Sequence, residues 1–246
     1  MKFNRKESLI VPWYHKKTTS GNVTEIEVYH SIRRAGKNYL PRTCNINTTP
    51  EEKQVINIKC AREKLTRTLN CNFTKQDAFI RLSYRKNGIE KETAIKNFRN
   101  FMRKLKRYIK KNNLPELKYV AVTENGKGKI HHHIVMNFTD ANAIRELWTF
   151  GGVYIVDMWS EDFTHLAKYI TKETIRNEHG KRWSQSRNLK KPTVELRELK
   201  GEVRNGPRVP KGYTLMESNC YVTSLGHKTW YMKVVKQGTE YFDSGG

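Results

Sequence analysis

Long apolar runs, clustered cysteines and negative charge are all scarce in this chain of 246 residues. No stretch of about 18 apolar residues is present, so no helical membrane span is expected. The N-terminus, MKFNRKESLIVPWYHKK, lacks the apolar core of a secretion signal, and a cytoplasmic location is the expectation. Cys44, Cys60, Cys71 and Cys220 are too few and too scattered for a disulfide framework, and no CxxC pair offers a zinc knuckle. Internal repeats and low-complexity tracts are absent. Acidic residues number 24 against 47 Lys and Arg, a formal charge of +23 that repels itself unless the partner is a polyanion. Nucleic acid is the first candidate. With 37% hydrophobic residues the chain has enough apolar side chains for a core.

Residues 1–49 read as an N-terminal arm or extension, with one alternating patch, Val23 to Val28, able to form an isolated strand. Thr48-Thr49-Pro50-Glu51-Glu52 is a helix start, with a capping threonine, proline in the first turn and early acids, and predicts a helix over about 50–69. Asp77 to Tyr84 alternates as a strand. From about 92 to 111, Ile95, Phe98, Met102, Leu105 and Ile109 fall at helical spacing, with nine Lys and Arg between Lys91 and Lys111. Such a basic outer face is by default a solvated one. Two strands, 117–124 and 129–138, flank Asn125-Gly126-Lys127-Gly128, a strong hairpin turn. A short helix around Ile144, Leu147 and Trp148, a strand over 153–158 and a helix over 161–174 follow. Residues 177–246 read as a basic, turn-rich C-terminal extension packing on or near a core of residues 50–176, with short strand-like runs at 221–223 and 230–235.

The second hairpin strand carries three consecutive histidines, 131–133, running directly into Ile134-Val135-Met136. The triplet is internal and short, unlike a purification tag. An even-numbered loop pairs Glu124 with Lys129, Val122 with His131 and Val120 with His133. Glu124, His131 and His133 then share one face, and His132 joins Ile130, Ile134 and Met136 on the other. One carboxylate and two imidazoles can converge on a divalent cation, and this donor set suits manganese, magnesium or zinc without selecting one. An odd-numbered loop would move Glu124 to the wrong face. Tyr169 and Lys172, three residues apart on the following helix, share a helical face. Beside a metal, Tyr169 is a candidate nucleophile, with the Lys172 ammonium to meet developing charge.

His131-His132-His133 followed by Tyr169-x-x-Lys172 resembles the HUH endonucleases, specifically the rolling-circle replication initiators of Gram-positive plasmids, phages and integrative elements. Phe79 to Tyr84 resembles the first motif of that group, and Ser186-Arg-Asn-Leu189 and Pro210-Lys-Gly-Tyr213 resemble recurrent pieces of one subfamily. The likeness runs from about residue 50 to 235. It implies an α+β fold of the ferredoxin-like HUH type: a central antiparallel sheet with flanking helices on one face and the metal and tyrosine on the other. It implies Mn2+ or Mg2+ held by Glu124, His131 and His133, a nucleophilic Tyr169, and Lys172 near the scissile phosphate. The product would be a 5′-phosphotyrosyl adduct on single-stranded or hairpin origin DNA. Host helicase and polymerase are implied partners. With one motif tyrosine, termination needs a second subunit, as in a homodimer, another tyrosine, or repeated use of Tyr169.

Two positions depart from the family pattern. His132 stands where a hydrophobic residue is usual and is expected in the packing layer, and Arg81 stands where a small hydroxyl residue is frequent. Arg81 and Ser83 alternate with Ile80 and Leu82, so both are expected on the open face as DNA contacts. Trp183, Arg187 and Lys190, in the segment WSQSRNLKKP, are further candidate contacts. The rival readings are a conjugative relaxase or single-strand transposase, a non-catalytic DNA-binding repressor, and a zinc hydrolase that uses water.

Overall fold

The computed structural model describes residues 12–31, 49–126, 129–158, 160–172, 182–201, 203–223 and 226–239. These form two compact units, the first built on residues 1–55 and 192–239, the second on residues 56–191. Each carries its own five-stranded sheet, and all the strand pairs are antiparallel. One central sheet was expected; two are observed.

The first unit joins the two ends of the chain. Strands β1 (Trp13–Ser20) and β2 (Val23–His30) form a hairpin whose turn uses Gly21 at φ 61°, a conformation that a Cβ disfavours. β8 (Thr193–Leu199) pairs with β1, and β10 (Lys228–Lys236) lies between β2 and β9 (Tyr213–Val222). The patch expected as an isolated strand is therefore the centre of a sheet. Ile26, Met232 and Val234 form its buried cluster. The stretch read as an N-terminal arm supplies β1 and β2, and the stretch read as a C-terminal extension supplies β8, β9 and β10.

The second unit has strand order β6-β3-β5-β4-β7, from β3 (Ala78–Ser83), β4 (Tyr119–Gly126), β5 (Lys129–Met136), β6 (Val153–Asp157) and β7 (Ser184–Gln185). Helix α1 (Pro50–Asn72) opens on the expected cap. Glu52 N–H donates to Thr49 Oγ1 at 3.2 Å, and Thr49 N–H donates to Glu52 Oε2 at 2.9 Å, a reciprocal capping box.

Helices cover both faces of this sheet, where one face was expected to be free of them. On one face, α2 (Lys91–Lys111) and α3 (Ala141–Leu147) bring Phe98, Phe101, Leu105 and Ile144 onto Ile80, Leu82, Ile134 and Met136. On the other, α1 and α4 (Thr164–Ile170) bring Leu65, Leu69, Ala167 and Ile170 onto Val120, Val122 and Val135. The physical reason lies in the strands: Val120, Val122 and Val135 occupy the second face and are fully or almost fully buried, so that face needs cover as well. Only its end near Glu124 and His131 is left for polar residues.

Candidate active site

The hairpin pairs Glu124 with His131 and Val122 with His133, a register two residues away from the expected one. Pairing continues to Gly126 opposite Lys129, beyond the expected end of the first strand. A shift of two preserves the face because side chains alternate with period two. Glu124, His131 and His133 accordingly share a face, with Arg81 opposite His133 and Ser83 opposite His131 on β3.

His133 is almost fully buried, and its Nε2 lies 2.6 Å from Glu124 Oε2. Its ring stacks on Phe79, centroids 5.6 Å apart and 4° from parallel, and meets the Tyr169 ring edge-on at 5.6 Å and 77°. Tyr169 is 53% exposed, so its ring is lodged against Phe79 and His133 while the residue stays open to solvent. Beside it runs a largely apolar groove of about 550 Å³ lined by Phe79, Val156, Met158, Phe163 and Leu166. Burial holds both His131 and His133 below the ordinary histidine range. For His131 the nearby Arg81 charge lowers it further, and for both the Glu124 carboxylate opposes the shift. Both imidazoles are thus neutral at neutral pH and retain a lone pair.

One carboxylate oxygen with neutral imidazole nitrogens is a donor set that fits a divalent cation. Glu124 and His133 already meet, and His131 lies directly across the ladder from Glu124. Among the described residues no three His, Cys, Asp or Glu side chains stand close enough together to hold an ion. With Glu124 ionised, His133 Nε2 carries the shared proton, and the buried Nδ1 has no hydrogen-bond partner. Ligation through Nε2 would transfer that proton to Nδ1.

His132 faces the other way. It is fully buried, stacked on Phe98 at 4.7 Å and 22°, with Trp148 and Tyr84 edge-on. Its Nε2 is 2.9 Å from Tyr84 Oη and its Nδ1 is 2.9 Å from Thr123 Oγ1. Tyr84 gives its only proton to Ala94 O at 3.0 Å, so Nε2–H donates to Tyr84 and Nδ1 accepts from Thr123. Burial pushes the His132 pKa down to about 3 and raises that of Tyr84. Neither Tyr84 nor Thr123 was singled out as its partner, although both have the face parity needed to meet it.

α4 is shorter than the helix expected over 161–174. It ends at Ile170, where Thr171 Oγ1 donates back to Ala167 O at 2.6 Å and accepts from Arg62 Nε at 3.2 Å. Lys172 is exposed in the turn beyond, its N–H on Tyr169 O at 3.2 Å, so the shared helical face expected for Tyr169 and Lys172 does not hold.

Arg81 is exposed on the expected face, 5.3 Å from the Tyr154 ring centre. Ser83 Oγ donates to Gly152 O at 3.2 Å. Trp183 and Arg187 lie elsewhere: they flank edge strand β7 and line grooves against α2, the helix on the sheet face opposite Tyr169. Lys190 is exposed, with its backbone N–H and C=O both bonded to the Asn72 side chain.

The fold and site define an α+β domain whose antiparallel sheet presents a Glu–His pair to an exposed tyrosine. Residues 77–174, from β3 to just past α4, match a family model of replication-associated proteins, that of the replication-associated protein ORF2. No curated protein and no solved structure matched the chain. Among the described residues, no helix is long and apolar enough to cross a membrane.

Proposed function

We propose that this protein nicks and rejoins single-stranded DNA at a replication origin, using Tyr169 as the nucleophile. The observation that carries this reading is the packing of the exposed Tyr169 ring against His133, whose Nε2 meets Glu124, within the stretch similar to replication-associated proteins. The Tyr169 phenol oxygen attacks a backbone phosphorus, a P–O bond forms and the bond to the 3′ oxygen breaks. The phenol gives up one proton and the departing 3′ oxygen gains one. The result is a 5′-phosphotyrosyl ester and a free 3′-OH, from which a polymerase can extend. Because phenolate is a fair leaving group, the same ester can be attacked by a 3′-OH and the strand rejoined.

Glu124, His131 and His133 would hold a divalent ion, Mn2+ or Mg2+, which when bound polarises the scissile phosphate. Arg81 is exposed beside them and suits a neighbouring phosphate. Lys172 sits two residues past the end of α4 and supplies an ammonium near the phenol. The apolar groove beside Tyr169 suits the face of an unpaired base. The α2-side position of Trp183 and Arg187 takes them out of this set.

The test is incubation of the protein with end-labelled single-stranded origin DNA and manganese, followed by denaturing electrophoresis. A covalent protein–DNA band together with a product ending in a 3′-OH is expected. Cleavage without such a band would instead indicate a water-using hydrolase, and binding without cleavage a repressor.

A further inference from the structure

The face of the second sheet turned away from Tyr169 carries a second basic feature. On α2, Arg99, Arg103, Lys106 and Lys110 fall at i, i+4, i+7 and i+11, one face extending over about 16 Å at 1.5 Å per residue. This face does not stand alone in solvent. It forms one wall of two adjoining grooves whose other wall is the segment around edge strand β7, with Arg182 and Trp183 in one groove and Gln185 and Arg187 in the other. The grooves measure about 350 and 970 Å³ and share Lys106 and Tyr119. Lys106 Nζ stands 5.4 Å from the centre of the Tyr119 ring. Glu116 is the single carboxylate among the lining residues. Among the described residues, none of the carboxylates found in ion pairs is paired with Arg103, Lys106, Lys110 or Arg187.

We infer that this paired groove binds the backbone of single-stranded DNA, at a site separate from the tyrosine site and independent of any metal. Cations converging from two opposed walls create a potential that a solvated helix face lacks, and they suit a polyanion. The aromatic side chains Trp183 and Tyr119 among the cations are the composition of a strand-tracking channel. The groove dimensions select a single strand, because a duplex cannot enter a crevice whose larger part holds only a few nucleotides. The inference goes beyond the nicking chemistry and does not depend on it.

The helix contains its own control. Arg103, Lys106 and Lys110 line the grooves, whereas Lys104, Arg107 and Lys111, equally one arginine and two lysines, are exposed on α2 but do not line them. The variants R103Q/K106Q/K110Q and K104Q/R107Q/K111Q therefore remove identical charge from one exposed helix. Binding of labelled oligothymidylate is measured across a salt series in the presence of a chelator, with melting curves to confirm that both variants are folded. The groove variant should lose about 2 from the slope of log K against log salt, three phosphate contacts at roughly 0.7 each, while the control stays near wild type. Arg187→Gln, on the opposite wall, should lower the slope by about 0.7 on the same basis. Equal losses in both triple variants would show that bulk charge alone is responsible and overturn the inference. So would unchanged binding in the groove variant, or a loss confined to duplex DNA.

Discussion

Strand β5 carries histidines in opposite circumstances on its two faces. His132 is sealed under α2 and α3, with both ring nitrogens satisfied by Thr123 and Tyr84 and protonation suppressed by burial. His131 and His133, one residue to either side, face Glu124 across the ladder, and the ring of His133 is contacted by an exposed tyrosine. The same residue type is a core polar residue in one case and a metal-ligand candidate in the other. What separates them is the direction of the side chain and what waits there: hydroxyl groups that complete one imidazole, and a carboxylate and phenol that leave the others available for chemistry. If this division is real, substitutions on the two faces must fail in different ways.

The largest effects belong to the open face. Tyr169→Phe removes one oxygen and leaves the ring on Phe79 and His133, so DNA binding and melting temperature should be retained while cleavage and covalent adduct vanish together. Glu124→Ala and His133→Ala should each lower the nicking rate by at least roughly 100-fold in manganese, the loss of a group that organises charge stabilisation. Nicking by either variant at the wild-type rate would remove it from the site.

On the packed face the failure should be one of stability. His132→Leu keeps the volume but strands the Thr123 hydroxyl and removes a donor from Tyr84, which should cost about 2–3 kcal/mol in denaturant unfolding. Nicking at temperatures where the variant is folded should persist. Stability within a few tenths of a kcal/mol of wild type would contradict the hydrogen-bond network.

Gly151 links the two faces through β3. A Cβ placed there would lie 2.1 Å from Ser83 O, the atom that also accepts from Trp148 Nε1 at 3.0 Å. Gly151→Ala should destabilise by about 1–3 kcal/mol through forced backbone displacement. It should also lower nicking, since Ser83 is the ladder partner of His131.

The smallest effect is expected at Arg81, an exposed side chain beside the site. Arg81→Gln should flatten the salt dependence of single-strand binding by about 0.7, one phosphate contact. An unchanged slope would show that its guanidinium serves only Tyr154.

Much of the second unit was legible because its signals are local. The capping threonine at the start of α1, the five-residue apolar stripe of α2 and the alternation of β3 each report on a few neighbouring residues. The shared face of Glu124, His131 and His133 was also legible, although the register was not, because any even shift keeps the same side chains on the same face. Lys172 was misplaced on a helical face because the end of α4 depends on tertiary bonds from Thr171 to Ala167 and Arg62. The first unit was the least legible. β1, WYHKKTTS, has little hydrophobic alternation, and its neighbour β8 lies more than 170 residues away in sequence. The basic face of α2 was visible, but the opposite wall that makes it a groove comes from a segment some 80 residues later.

The central claim is that one phenol oxygen, that of Tyr169, becomes joined to DNA. Its most direct test is mass spectrometry of peptides from the covalent complex formed on single-stranded origin DNA in manganese, after nuclease trimming. The account predicts a nucleotide attached through phosphate to the peptide containing Tyr169, and to no other tyrosine peptide. A modified peptide from elsewhere in the chain, or efficient cleavage leaving a free 5′ phosphate and every peptide unmodified, would contradict it.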